Sequence, residues 1–260
     1  MPKIFSWNVN SVNARLENII QLIKEYSPAI LLFQETKCQD HNFPRETFEE
    51  LGYNVATNGQ KSYNGVAILS RYRLYDIETK SFQGFKDDAR YIEALVDING
   101  KCLRVASIYV PNGQAVKSEK FPRKLNYIDD LHSYLESVPH DEHFIIGGDF
   151  NVAPEAIDLH DPIGLRNHLG FHDEERVRIK AILNGSFKDS LRHLYPNKRI
   201  FTWWDYRDRY SFNGGRGWRI DYILTNRPGS IEEAGIITDA RQWNRTSDHA
   251  PVFCKISQNT

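Results

Sequence analysis

Phe144-Ile145-Ile146-Gly147-Gly148-Asp149-Phe150-Asn151 is the stretch on which the reading of this chain turns. An apolar run of strand character enters two glycines, and an ionisable side chain stands where the backbone can turn tightly. The arrangement has two counterparts. Ile30-Leu31-Leu32-Phe33 leads into Gln34-Glu35-Thr36-Lys37, and Ser247-Asp248-His249-Ala250-Pro251 adjoins the last apolar run. Three strand ends that each deliver a carboxylate, one with a histidine beside it, fit a hard metal ion and an activated water. That combination points to metal-assisted hydrolysis of a phosphodiester. Each motif alone has a plainer reading, as a turn held by an Asx hydrogen bond, a loop entering a strand or a polar strand end. Together they are far more specific than their parts.

Outward from these motifs, strand-like runs recur at 3–9, 29–34, 65–70, 91–98, 103–110, 219–225 and 250–256, beside 144–149. Several are nearly all apolar, as strands covered on both faces should be. Asn99-Gly100 between two of them predicts a hairpin. Leu16, Ile19, Ile20 and Ile23 keep helical spacing up to Pro28, as do Phe121, Leu125, Ile128, Leu131 and Leu135 up to Pro139. A weaker helix is expected over 174–184. Hairpins mixed with helical crossovers predict an α/β protein with mixed sheets, organised as one domain over residues 1–260. The loops 111–117, 152–172 and 204–217 are longer than connection demands, which suggests function.

Composition narrows the class. Hydrophobic residues at 40% and charged residues at 26% exclude a disordered or membrane-embedded chain. The N-terminus enters the strand-like Lys3-Ile4-Phe5-Ser6-Trp7-Asn8 at once, so no signal peptide is expected. Three cysteines, odd in number and far apart, indicate neither a disulfide framework nor a zinc site, and a reducing, cytoplasmic setting is expected. Net charge is −1, yet residues 178–219 hold ten Lys/Arg against three Asp/Glu, and 125–165 hold nine Asp/Glu and no Lys/Arg. Such segregation can present a basic face to a polyanion, although solvated surface is the plainer reading.

Magnesium suits the charge neutralisation that phosphodiester hydrolysis requires, because it takes oxygen ligands and needs only one or two carboxylates. Glu35 is the first choice as ligand, with Asn10 or Asp248 helping. Asp149 is placed to orient or deprotonate a water, or to protonate the leaving oxygen. Asn151, two residues on, can donate to a phosphate oxygen or fix Asp149. Adjacent strand residues point to opposite faces, so Asp248 is not expected to orient His249. Asp221, in Gly217-Trp218-Arg219-Ile220-Asp221-Tyr222, is the better partner for it. Trp203, Trp204 and Trp218 flank a loop with Arg207, Arg209, Arg216 and Arg219, where rings can stack a base or sugar and guanidiniums can grip phosphates. At least one of these tryptophans is expected to be core.

With these residues assembled, the chain resembles the exonuclease III family of the endonuclease/exonuclease/phosphatase superfamily. The likeness runs from Trp7-Asn8-Val9-Asn10 to Ser247-Asp248-His249-Ala250-Pro251. Between them, in order, come Gln34-Glu35-Thr36-Lys37, Tyr109-Val110-Pro111-Asn112-Gly113, Gly148-Asp149-Phe150-Asn151, Phe187-Lys188-Asp189-Ser190, Thr202-Trp203-Trp204 and Trp218-Arg219-Ile220-Asp221-Tyr222. The resemblance implies a four-layered α/β sandwich, two mixed β-sheets packed face to face with helices outside. It implies Glu35 on the metal with Asn10 near it, Asp248 close by, and Asn8 and Asn151 holding nucleophile or phosphate. Tyr109 would touch the scissile phosphate, and Asp149 would work on the water or leaving group. His249, oriented by Asp221, would stabilise the transition state. Trp203 and Trp218 would line a pocket for an extruded abasic sugar, and Asn112, Arg90 and Arg216 would also bind substrate. The implied activity is Mg²⁺-dependent, with Mn²⁺ a possible substitute. It combines an abasic-site endonuclease nicking 5′ to the lesion with 3′–5′ exonuclease and 3′-end cleaning. The implied partner is duplex DNA with abasic sites or blocked 3′ ends, acted on by a monomer away from membranes. A phosphodiesterase or phosphatase of the superfamily acting on a non-DNA substrate is the alternative.

Overall fold

The structure is a computed structural model that describes residues 1–208 and 210–257, so the expectation for Arg209 lies outside the described residues. Two six-stranded mixed sheets lie face to face. The first runs in the order β11-β12-β1-β2-β4-β3, with β1 Lys3–Asn8, β2 Ile30–Gln34, β3 Asn54–Asn58, β4 Val66–Ser70, β11 Ile231–Ile236 and β12 Val252–Ile256. The second runs β5-β6-β7-β8-β10-β9, with β5 Leu74–Glu78, β6 Tyr91–Ile98, β7 Lys101–Tyr109, β8 Phe144–Asp149, β9 Lys188–Asp189 and β10 Asp221–Thr225. The expected sandwich is the one found, and Asn99-Gly100 makes the β6–β7 hairpin with both residues at positive φ.

Alternation along the strands builds the layers. Ile4, Ile30, Leu32, Leu103, Val105 and Ile145 face the space between the sheets. Their neighbours Phe5, Leu31 and Phe33 turn outward beneath α1 (Leu16–Tyr26) and α2 (Arg45–Glu50). On the other side Ala106, Ile108, Phe144 and Ile146 pack under α3 (Lys120–Glu136) and α4 (Asp173–Asn184). A short fifth helix, α5, covers Ser190–Leu194.

Two parallel pairs sit in the sheets, β1 with β2 and β7 with β8. Parallel neighbours need a crossover, and α1 and α3 provide it. Each crossover brings two strand C-termini to the same edge, and both edges fall at one end of the sandwich. There the sheets approach closely. A Cβ on Gly147 would meet Leu32 Cδ1 at 2.8 Å and Ser6 Cβ at 2.9 Å, so glycine is required. Just below, Gln34 Nε2 donates to Ser107 Oγ across the gap at 2.9 Å, a buried polar tie between sheets.

Candidate active site

The registers put the motif residues side by side. Tyr109, Asp149 and Asp221 pair across β7, β8 and β10, so three polar side chains end one sheet together. In the facing sheet Asn8 pairs with Gln34, and Glu35 follows at φ +51. The fully buried Asn8 joins the two sets: its Nδ2 donates to Glu35 Oε1 at 2.8 Å and to Asp149 Oδ2 at 2.9 Å. It therefore lies behind the carboxylates and does not line the cavity in front of them.

His249 Nδ1 lies 3.0 and 3.1 Å from the two oxygens of Asp221, while its Nε2 points to Asp149 Oδ2 at 3.8 Å. Asp248 turns the other way, accepting from Trp203 Nε1 and Asn10 Nδ2 at 3.0 Å each. The alternation argument for Asp221 agrees with this geometry. Burial works against a charged imidazole, but the Asp221 and Asp149 carboxylates outweigh it and hold His249 well above its usual pKa. Burial also raises Asp149 far above the ordinary carboxylate range, with Asp221 and Glu35 adding to the effect and His249 and the Asn8 amide opposing it. Glu35 is partly buried, which opposes its charge, yet the Lys37 ammonium at 2.8 Å and the Asn8 amide keep it below its ordinary value. Around Tyr109, burial and then the Glu35 and Asp149 carboxylates hold the phenol protonated.

Asn151, at φ +52, has its N–H bonded to Asp149 Oδ1 at 2.9 Å. Its Nδ2 donates to the Val110 carbonyl at 2.9 Å, and its Oδ1 accepts from Asn112 Nδ2 at 3.2 Å. A cavity of about 330 Å³ opens over this constellation, lined among others by Glu35, Tyr109, Asn112, Asp149, Asn151, Trp203 and Trp218. The two indoles meet edge to face at 6.2 Å. Trp204 is the core tryptophan, 4% exposed and packed on Phe212.

Other expected residues fall elsewhere. Arg216 pairs with Asp208 at 2.6 Å on the half-exposed outer loop, away from the cavity lining. Arg90 stacks its guanidinium 4.8 Å from the Tyr109 ring and pairs with Asp88, which makes it a support for Tyr109. Asn10 Oδ1 is taken by Lys37 Nζ. Lys37 was not singled out in the sequence, although it stands in the Gln-Glu-Thr-Lys motif. Leu169 and Gly170, at the end of the long 152–172 loop, were also missed and line the cavity. Four cations of the basic segment pair with the acidic one: Arg219 lies buried between Asp158 and Asp189 (the latter outside the acidic stretch), Arg192 bonds Asp158, Arg178 bonds Asp129 and Lys180 bonds Glu155.

Residues 5–249 match the Endonuclease/Exonuclease/phosphatase family. The chain belongs to that family. Exodeoxyribonuclease III of Haemophilus influenzae is 34% identical to it, with 97% of this chain and 99% of that protein covered. An AP endonuclease from Archaeoglobus fulgidus superposes with a TM-score of 0.92 at 37% identity, covering 99% of this chain and all of the other. A 3′ phosphatase from Neisseria, bound to a product DNA hairpin, gives 0.92 at 32% identity with the same coverage. Members of the Endonuclease/Exonuclease/phosphatase family with such relatives are metal-dependent hydrolytic nucleases, and this chain is one. Its donors fit a hard cation: ligand atoms of Glu35, Asp149 and His249 lie within 4.8 Å of one another. Glu35, held below its ordinary pKa, is the suitable ligand of the three, because an imidazole kept protonated has no lone pair to offer.

Proposed function

We propose that the protein is a DNA-repair nuclease that nicks duplex DNA 5′ to an abasic site, and that it also removes nucleotides and blocking groups from 3′ ends. The observation that carries this reading is one cavity in which the carboxylate–histidine constellation faces the paired indoles of Trp203 and Trp218. A missing base makes extrusion cheap, and a pocket walled by rings accepts a bare sugar without base readout. The whole chain, 1–260, acts as a single catalytic domain and as a cytoplasmic monomer.

Glu35 would hold Mg²⁺, or Mn²⁺ as a substitute, with Asn10 and Asp248 near it. When bound, the cation supplies charge neutralisation on the phosphate. The chain's own groups do the rest. Asp149, raised toward neutrality by burial, moves the proton between water and the leaving oxygen. His249, kept charged and fixed by Asp221, stabilises the charge that grows on the phosphorane. Tyr109 and Asn151 present donors to the phosphate oxygens, and Asn8 keeps Glu35 and Asp149 in register from behind.

Trp218→Ala tests the indole half of this reading. Stacking on one ring contributes about 1–3 kcal/mol, so kcat/KM for abasic nicking should fall roughly 10–100-fold. Release of phosphate from a 3′-phosphoryl end, which needs no extruded sugar, should fall much less. Equal losses on both substrates would contradict the assignment of the pocket.

A further inference from the structure

Lys124 on α3 and Glu175 on α4 form an ion pair with both side chains at 0% exposure, and neither touches the cavity. A pair removed from water so completely is costly unless every donor and acceptor is met. Here they are met, and by the backbone of the active site. Besides bonding Glu175 Oε1, Lys124 Nζ donates to the carbonyl of Asn151 at 2.8 Å and to that of Asn112 at 3.1 Å. Glu175 Oε2 accepts from the N–H of Gly170 at 2.7 Å and of His172 at 3.1 Å.

These bonds end on backbone segments whose residues line the cavity. Asn112 and Asn151 line the cavity, and Asn151 stands in the left-handed region and is held there through its carbonyl. Gly170 is pressed against both Trp218 and Asn151: a Cβ on it would lie 3.1 Å from the indole and 3.3 Å from the Asn151 carbonyl oxygen. One buried pair thus fixes the carboxamide wall and the indole wall to each other.

We propose that Lys124 and Glu175 are positioning residues that set the spacing between the Asn112–Asn151 wall and the Gly170–Trp218 wall, and that turnover depends on that spacing. The inference rests on the nuclease reading above. A wild-type protein that fails to cut abasic duplex sinks that reading, whereas the comparisons below are made only against an active wild type.

Lys124→Met leaves Glu175 charged and unpaired, so it should lose both thermal stability and rate. The informative protein is the double variant Lys124→Met/Glu175→Gln, which is charge-balanced and keeps an acceptor for Gly170 and His172. It should recover most of the lost Tm, while kcat on abasic duplex stays at least tenfold below wild type and KM changes less than twofold. Recovery of kcat along with Tm would overturn the proposal and leave the pair a purely structural one. If circular dichroism shows the double variant unfolded, Glu175→Gln alone decides. A folded Glu175→Gln protein should lose three- to tenfold in kcat at unchanged KM, and wild-type kcat would overturn the proposal.

Discussion

Asp149 takes a hydrogen bond from the Asn8 amide and another from the backbone of Asn151, and it faces His249 Nε2 at 3.8 Å. Its neighbours Asp221 and Tyr109 come from the flanking strands, so no flexible loop has to place it. A carboxylate held this firmly and raised by burial is suited to proton transfer, and such a group contributes about 10²–10⁴-fold. Asp149→Asn should therefore lower kcat by roughly that factor with an unchanged far-ultraviolet dichroism spectrum; wild-type turnover by the folded variant would remove Asp149 from the chemistry. Asp221 meets the site through the His249 imidazole. Asp221→Asn should misorient the imidazole and cost at least about tenfold in kcat, while binding of undamaged duplex stays close to wild type. A fall in duplex affinity as large as the fall in kcat would assign Asp221 to substrate contact instead.

Among the elements, the division between what the sequence disclosed and what it hid follows the sheets. The eight apolar runs are the inner strands β1, β2, β4, β6, β7, β8, β10 and β12. The four strands that were not legible, β3, β5, β9 and β11, are the two edges of each sheet. Edge strands are short, bury one face at most and carry charge against pairing with other chains, which erases the apolar signal. β5 has no buried residue, and Ile231-Glu232-Glu233-Ala234-Gly235-Ile236 of β11 shows no regular alternation. The active-site motifs were legible because they sit on the ends of inner strands. Partnerships across the chain were less so: Lys37 with Asn10, and Lys124 with Glu175, depend on which crossover lies over which loop. The Gly-Gly pair of β8 is an element-level requirement. A Cβ at Gly148 would fall 2.0 Å from the Ile108 carbonyl oxygen, so β7 and β8 would have to part. Gly148→Ala should cost about 1–3 kcal/mol in urea unfolding and slow catalysis by displacing Asp149. An unaltered midpoint would show that the strands give way freely.

Over the whole molecule, part of the charge that is segregated along the sequence is paired in space. Asp129, Glu155 and Asp158 from the acidic stretch meet Arg178, Lys180, Arg192 and Arg219 from the basic one. Sequence counting could not reveal this, because it needs the packing of α3 and α4 and the seating of the 152–172 loop. Among the described residues no helix is long and apolar enough to cross a membrane. One acid-sensitive group lies at the end of the sandwich remote from the cavity, where His143 is buried just before β8 beside Thr225 and Ser230. Burial, reinforced by Arg227, lowers its pKa from 6.5 to about 4. The unfolded chain then binds a proton that the folded protein refuses. Stability should be unaffected by this group above about pH 6.5 and should fall as the pH drops toward about 4, by about 1–3 kcal/mol after allowing for solvent screening. His143→Gln should flatten that part of the profile in urea titrations at successive pH values; an unchanged slope would place the acid sensitivity elsewhere.

The central claim is that one cavity unites a phosphodiester-cutting constellation with a pocket for a base-free sugar. It is tested most directly by a 5′-labelled duplex carrying one abasic-site analogue, incubated with Mg²⁺ or with EDTA beside an undamaged duplex. A metal-dependent product ending immediately 5′ to the lesion is the predicted result. Shortening from the 3′ end without that nick, or no cleavage of either duplex, would contradict it.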